Sequence, residues 1–221
     1  MTEPVRPGDN RRGPRPRGGS GVPTIWTVGH SNRPLEEFLE LLRIHRVEWV
    51  IDVRRFPSSR RHPHFRGDAL AAALAAVGIG YLHLPELGGR RAPRLDSPHI
   101  AWQTPGFRGY ADHMESEEFQ RGLERVMEEA GRARVALMCA ERFPWRCHRR
   151  LIADALTVRG FRVEHILDQE RCVGHSLPPW GCLEGGRLLY AGPSNPGGRQ
   201  MELLPEGSAR ISPNPLKGEE G

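Results

Sequence analysis

Lysine is almost missing from this chain. Of its 32 basic residues only Lys217 is a lysine, and the rest are arginine. Beside 26 glycines and 20 prolines, that absence reads as a bias of the whole composition. The net charge of +5 therefore does not by itself point to nucleic acid, and local clustering has to carry any such argument. Long apolar runs are missing too: none reaches the ~18 residues a membrane-spanning helix needs. The opening "MTEPVRPGDNRRGPRPRGGSG" lacks the apolar stretch of a secretory signal. The expectation is a cytoplasmic protein with no membrane partner. Cysteine is scarce, and four thiols do not make a disulfide scaffold in a chain of 221 residues. Without export they should stay reduced, as free thiols or thiolate ligands.

What is present divides into three parts. Residues 1–22 hold arginine, proline and glycine with almost nothing apolar, and are expected to form a disordered basic arm. Residues 193–221 return to proline, glycine and charge and read as a flexible tail. Between them, residues 23–192 alternate short β-rich runs with amphipathic segments, the pattern of βαβ units. The expected fold is a single α/β domain with an open, mainly parallel, Rossmann-like sheet flanked by helices.

The strands are "TIWTVGH" (24–30), "WVIDVR" (49–54), "GYLHL" (80–84), "RVALMCA" (134–140) and "RVEHIL" (162–167), with "LEGGRLLYAG" (183–192) a last short strand after a turn. Helical spacing runs through Leu35, Phe38, Leu39 and Leu42, through Leu70, Leu74 and Val77, through Phe119, Leu123, Val126 and Met127, and through Leu151, Ile152, Ala155 and Leu156. Gly78, Gly131 and Gly160 follow three of these as stops. Residues 85–110 have no clean period and read as a long functional loop.

In an open parallel sheet, ligands bind beyond the carboxyl ends of the strands. The reactive residues collect there: "GHSN" (29–32) after the first strand, "DVRRFPSS" (52–59) at the second, and "CAERFPWRCHRR" (139–150) after the fourth. Their motifs, "GHS", "DVR-x-x-P-x-S", "Y-x-H-x-P-x-LGG" and "C-A-E-x-x-P-x-x-CHR", stand at 29–31, 52–59, 81–89 and 139–149. In these the chain resembles the bacterial domain of unknown function 488 family, from about Thr24 to Gly192, with "VEHIL", His175 and "GGRLLY" in its closing segment. The resemblance implies an α/β fold and a shared polar site, and names no reaction.

The residues themselves suggest a chemistry. Cys147 lies near the start of a helix, where backbone N–H groups and Arg146, His148 and Arg149 would stabilise a thiolate. Cys139, at a strand end, is either a small buried hydrophobe or a functional thiol. His148 suits proton transfer or plain hydrogen bonding. Glu141 is a base if buried, or a partner of Arg142 or Arg54. Arg142, Arg146, Arg149 and Arg150 would hold a phosphate or carboxylate, or only solvate the helix. His30 and Ser31 would touch a ligand, with helix capping by Ser31 or Asn32 as the alternative. Asp52 and Arg54 either serve the site, or Asp52 is a structural lock paired with Arg54 or Arg55, and Ser59 offers a hydroxyl to an anion. Arg60, Arg61, His62 and His64 lie near this edge, and Phe65, Tyr81, Trp102, Phe107, Tyr110 and Trp145 are candidate stacking faces, although core packing claims most such rings.

Two assignments fail on spacing. A Cys-x5-Arg phosphatase loop from Cys139 needs arginine where Trp145 stands. Cys-x7-Cys-His, even with His30 or His175 added, is not a usual zinc spacing, so no metal ligand is assigned. No cofactor is indicated.

The leading reading makes Cys147 or Cys139 a nucleophile, with His148, His30 or Glu141 moving protons. Ser31, Asp52, Arg54, Ser59, Arg146 and Arg149 would bind an anionic, nucleotide-like small molecule in a transfer or hydrolysis. A thiol-redox or metal-responsive module stays open, as does a nucleic-acid-binding module in which the arm and the 85–110 loop track phosphates.

Overall fold

The computed structural model describes residues 22–59 and 61–191. The expected tail over 193–221, and all of the expected arm except Val22, lie outside the described residues. Five apolar runs form parallel strands of one sheet: β1 (Thr24–Gly29), β2 (Trp49–Asp52), β3 (Gly80–His83), β4 (Val135–Cys139) and β5 (Arg162–Ile166). Their order is β3-β2-β4-β1-β5, and β6 (Cys172–Gly174) closes the far edge antiparallel to β5. All five residues of β4 are buried, as a parallel strand covered on both faces requires.

Helices cover both faces. On one side α1 (Leu35–Ile44) and α2 (Gly67–Ala76) place Phe38, Leu41, Leu42, Leu70 and Leu74 on Val28, Val50, Ala136 and Met138. On the other, α3 (Pro105–His113), α4 (Glu117–Ala130) and α5 (Arg149–Thr157) bury Tyr110, Phe119, Leu123, Leu151 and Ile152 against Ile25, Ile51, Leu137 and Val163. The strand residues alternate between the two cores with the period of two that pleating dictates. After α2 and α5 the chain takes positive φ at Gly78 (76°) and Gly160 (84°), whereas Gly131 after α4 stays right-handed. A hairpin of β7 (Cys182–Glu184) and β8 (Arg187–Leu189), turning on Gly185 and Gly186, then leads Tyr190 into the core. No helix among the described residues is long and apolar enough to cross a membrane.

Two expectations change. The stretch 85–110 is not a loop throughout, because α3 begins within it at Pro105. Its pattern is hidden by "PGFRG", where Gly109 is needed for packing: a Cβ there would overlap the Arg91–Pro93 backbone. Neither Ser31 nor Asn32 caps α1, whose N-cap position is Pro34.

The connections open the crevice. From β1 the chain crosses to β2 through α1 on one face, and from β4 to β5 through α5 on the other. The loops leaving the neighbouring carboxyl ends of β1 and β4 therefore diverge, which is where an open sheet holds its ligand.

Candidate active site

The two diverging loops are first sewn together. His30 N–H donates to the Cys139 carbonyl (2.9 Å) and Ser31 N–H to that of Ala140 (3.0 Å). Only glycine fits at 29, because a Cβ would overlap the Glu141 carbonyl.

One wall of the site is an ion pair tied to a histidine. Asp52 is fully buried and accepts from Arg54 Nε (2.8 Å), Arg54 Nη2 (2.6 Å), the Arg54 backbone N–H (3.0 Å) and the Tyr81 hydroxyl (2.8 Å). Arg54 Nη1 donates to the Phe65 carbonyl (2.8 Å) and to His30 Nε2 (3.2 Å). Of the five guanidinium hydrogens, four are thus spent inside the protein. The His30 ring stacks on Phe65 with centroids 4.1 Å apart, and its Nδ1 donates to the Ser31 carbonyl (2.9 Å). Burial, then the Arg54 charge, brings its pKa down to about 4, so the imidazole is neutral.

The other wall carries the thiols. Cys147 lies two residues ahead of α5, in extended backbone (φ −130°, ψ 147°) after a single helical turn at Pro144–Arg146. His148 donates from Nε2 to the Val53 carbonyl (3.0 Å), which leaves Nδ1 as an acceptor 3.6 Å from Cys147 Sγ. Arg149 is fully buried, yet its oxygen partners are all neutral: Thr27 Oγ1 (3.1 Å) and the carbonyls of Glu141 (2.5 Å) and Arg142 (3.3 Å). Its Nε makes no hydrogen bond, and its charge bears on Cys147. A buried guanidinium without a carboxylate calls for an anion. Cys147 supplies one. Burial would raise its pKa, but the Cys139 thiol and the guanidinium and backbone N–H of Arg149 lower it to about 6. Cys139, donating to Cys147 and buried, is pushed up to about 12.

Sγ of Cys139, Sγ of Cys147 and a ring nitrogen of His148 all lie within 4.8 Å of one another, close enough to share a metal ion. His30 and His175 are not in this group. The surroundings count against a cation: Arg149 would repel it, as would the arginines of the cleft.

That cleft, about 780 Å³, is lined by His30, Arg54, Cys139, Glu141, Arg146, Cys147, His148 and Ser59. Arg55, Arg90, Phe56 and Phe107, none chosen from the sequence as ligand groups except Phe107, also face it. Ser59 Oγ accepts from His62 N–H (3.0 Å). Glu141 makes no ion pair with Arg54 or Arg142; its carboxylate accepts from Phe143 N–H (3.1 Å). Of the expected stacking faces, Phe65, Trp102 and Tyr110 are fully buried core, and Trp145 stacks on Phe143. Ser31 does not line the cleft, and its Oγ donates to Asn32 Oδ1 (3.3 Å).

Behind the thiols runs a chain of polar groups of which the sequence singled out only His175. Thr27 Oγ1 accepts from Arg149, so its own hydrogen goes to His165 Nδ1 (2.8 Å). His165 Nε2 then donates to His175 Nδ1 (3.0 Å), and His175 Nε2 to Asp154 Oδ1 (2.7 Å), whose Oδ2 accepts from the Tyr190 hydroxyl (2.6 Å). The donors and acceptors fix both tautomers. Thr27 and His165 are 138 positions apart and meet only because β1 and β5 pair in that register.

Fold and site together define an open α/β domain with a cysteine, histidine and arginine cleft at its strand ends. The model of the family described as domain of unknown function DUF488 matches residues 34–156, over half of the chain, and the chain belongs to that family. The match takes in three of the four motifs and begins beyond "GHS". No curated protein and no solved structure matches it.

Proposed function

We propose that the chain binds an anionic, nucleotide-like ligand in this cleft and acts on it through Cys147 by a cysteine-based transfer or hydrolysis. The observation that carries the reading is Arg149, a fully buried cation whose oxygen partners are all neutral and whose charge bears on the Cys147 sulfur. His148 Nδ1 is the acceptor for the thiol proton, held in place by the Val53 carbonyl. Arg55, Arg90 and Arg146 give the cleft its anion preference, and its volume falls within the ~300–1,000 Å³ of ordinary ligand pockets. Asp52, Arg54 and His30 spend their polar atoms on one another and build the wall.

Iodoacetamide alkylation followed by peptide mass mapping tests the reading. Cys147 should react with a half-maximal rate near pH 6, and pyrophosphate or a nucleotide should protect it. A half-maximal rate near the ordinary thiol value of ~8.5, or no protection by any such anion, would overturn it.

A further inference from the structure

A nucleophilic sulfur with a second thiol at its side has a route that a lone cysteine lacks. Cys139 and Cys147 belong to different segments, the end of β4 and the loop before α5. Their sulfurs and a His148 ring nitrogen nevertheless share one cluster within 4.8 Å, open to the cleft. Cys172 and Cys182 stand exposed on β6 and β7, outside this cluster. Cys139 is fixed by the ladder, where it is level with Gly29. Closing the pair to a bond of ~2.05 Å therefore falls to Cys147, which sits in a loop.

We propose that Cys139 is the resolving thiol of a two-cysteine centre whose substrate is the disulfide of an anionic thiol. This rests on the reading of Cys147 as the nucleophile. In the first step the Cys147 thiolate attacks one sulfur of the substrate. A Cys147–S–S–R bond forms, the substrate S–S bond breaks, and one RS⁻ leaves, taking the Cys147 proton from His148 Nδ1 and so freeing that nitrogen. In the second, the Cys139 sulfur attacks Cys147 Sγ while its proton passes to His148 Nδ1. The Cys139–Cys147 bond forms, the bond to R breaks, and the second thiolate departs, taking the proton from His148. Two protein thiols are oxidised to one disulfide, and one substrate disulfide is reduced to two thiols.

The chemistry narrows the substrate. Attack on Cys147 Sγ expels a group only if that group leaves with the electron pair as a stable anion, which a thiolate does and a carbon adduct does not. Charge narrows it further, since Arg55, Arg90 and Arg146 line the approach and Glu141 is the one acidic side chain there among the described residues. They favour a thiol that itself carries carboxylate or phosphate.

The test uses the full chain carrying Cys172→Ser and Cys182→Ser, with oxidised glutathione as the anionic probe and cystamine as its cationic counterpart. Intact mass should show the loss of two hydrogens and the release of two glutathione thiols per chain, with cystamine slower by about tenfold or more. Adding Cys139→Ser, or Cys139→Ala as a second packing choice, should stop the reaction at one glutathionyl group on Cys147. Adding Cys147→Ser should leave the chain inert. If the chain with both thiols also stops at the glutathionyl adduct, the resolving role is wrong although Cys147 is still the nucleophile. Equal rates for the two probes would overturn the anionic substrate. If Cys147 reacts with neither disulfide nor iodoacetamide, the underlying reading fails.

Discussion

Two residues around the cleft, one charged and one neutral, give direct tests. Replacing Arg149 with leucine keeps much of its bulk and removes the cation beside Cys147. The half-maximal pH for alkylation should then rise toward the ordinary thiol value. An unchanged profile would mean that Arg149 does not set the thiolate. His30 gives the second test, through stability. Its folded pKa of about 4 lies below the ordinary ~6.5, so the unfolded chain binds the proton more readily. The stability that His30 contributes is complete above ~6.5 and is lost as pH falls toward 4, on the order of 3 kcal/mol in all. Urea midpoints measured at about pH 7.5 and 4.5 should fall steeply for the native sequence and less for His30→Gln.

At the scale of elements, the joint between β1 and the loop after β4 is the most exacting. Gly29→Ala would drive a methyl into the Glu141 carbonyl, whose oxygen also accepts from Arg149. It should cost roughly 1–3 kcal/mol in a denaturant titration, as overpacking does, and slow Cys147 alkylation as well. Gly89→Ala should act more locally, since its Cβ would come 2.8 Å from His148 Nδ1. Slower alkylation with little change in the urea midpoint is the expected result.

Much of this scale was legible in the sequence. The five parallel strands were readable to within a residue or two because each is a short apolar run between polar breaks. Cys139, Glu141, Cys147 and His148 were readable as neighbours, and they line one cleft, because they end or follow a single strand. The β6 strand was not, at three residues with no pattern of their own. Nor was α3, where Gly109 answers to the backbone of residues 91–93 rather than to a helical period. Arg149 was readable as a basic residue but not as a fully buried one, because burial follows from packing against Thr27 on a distant strand. Glu141 looked like an ion-pair partner and instead holds the turn at Phe143, a choice made by local backbone.

At the scale of the whole molecule, a ligand that binds the folded cleft adds to global stability by mass action. Pyrophosphate or a nucleotide at about a hundred times its Kd should contribute about 2.7 kcal/mol, or very roughly 5–10 °C in Tm for a chain of this size. The shift should shrink with salt, because the arginines lining the cleft are screened. A Tm that no phosphate-bearing compound moves would count against the anion preference.

The chain of groups from Arg149 to Asp154 reaches across that same length scale. Its hydrogens all point toward the carboxylate, from Thr27 through His165 and His175. Turning either imidazole over by itself would set two lone pairs, or two hydrogens, face to face. The rings are therefore locked as a pair, and the His165 Nε2 hydrogen should be among the slowest in the molecule to exchange with deuterium. What tethers the cation near the thiols is in effect a one-way street between the sheet and α5.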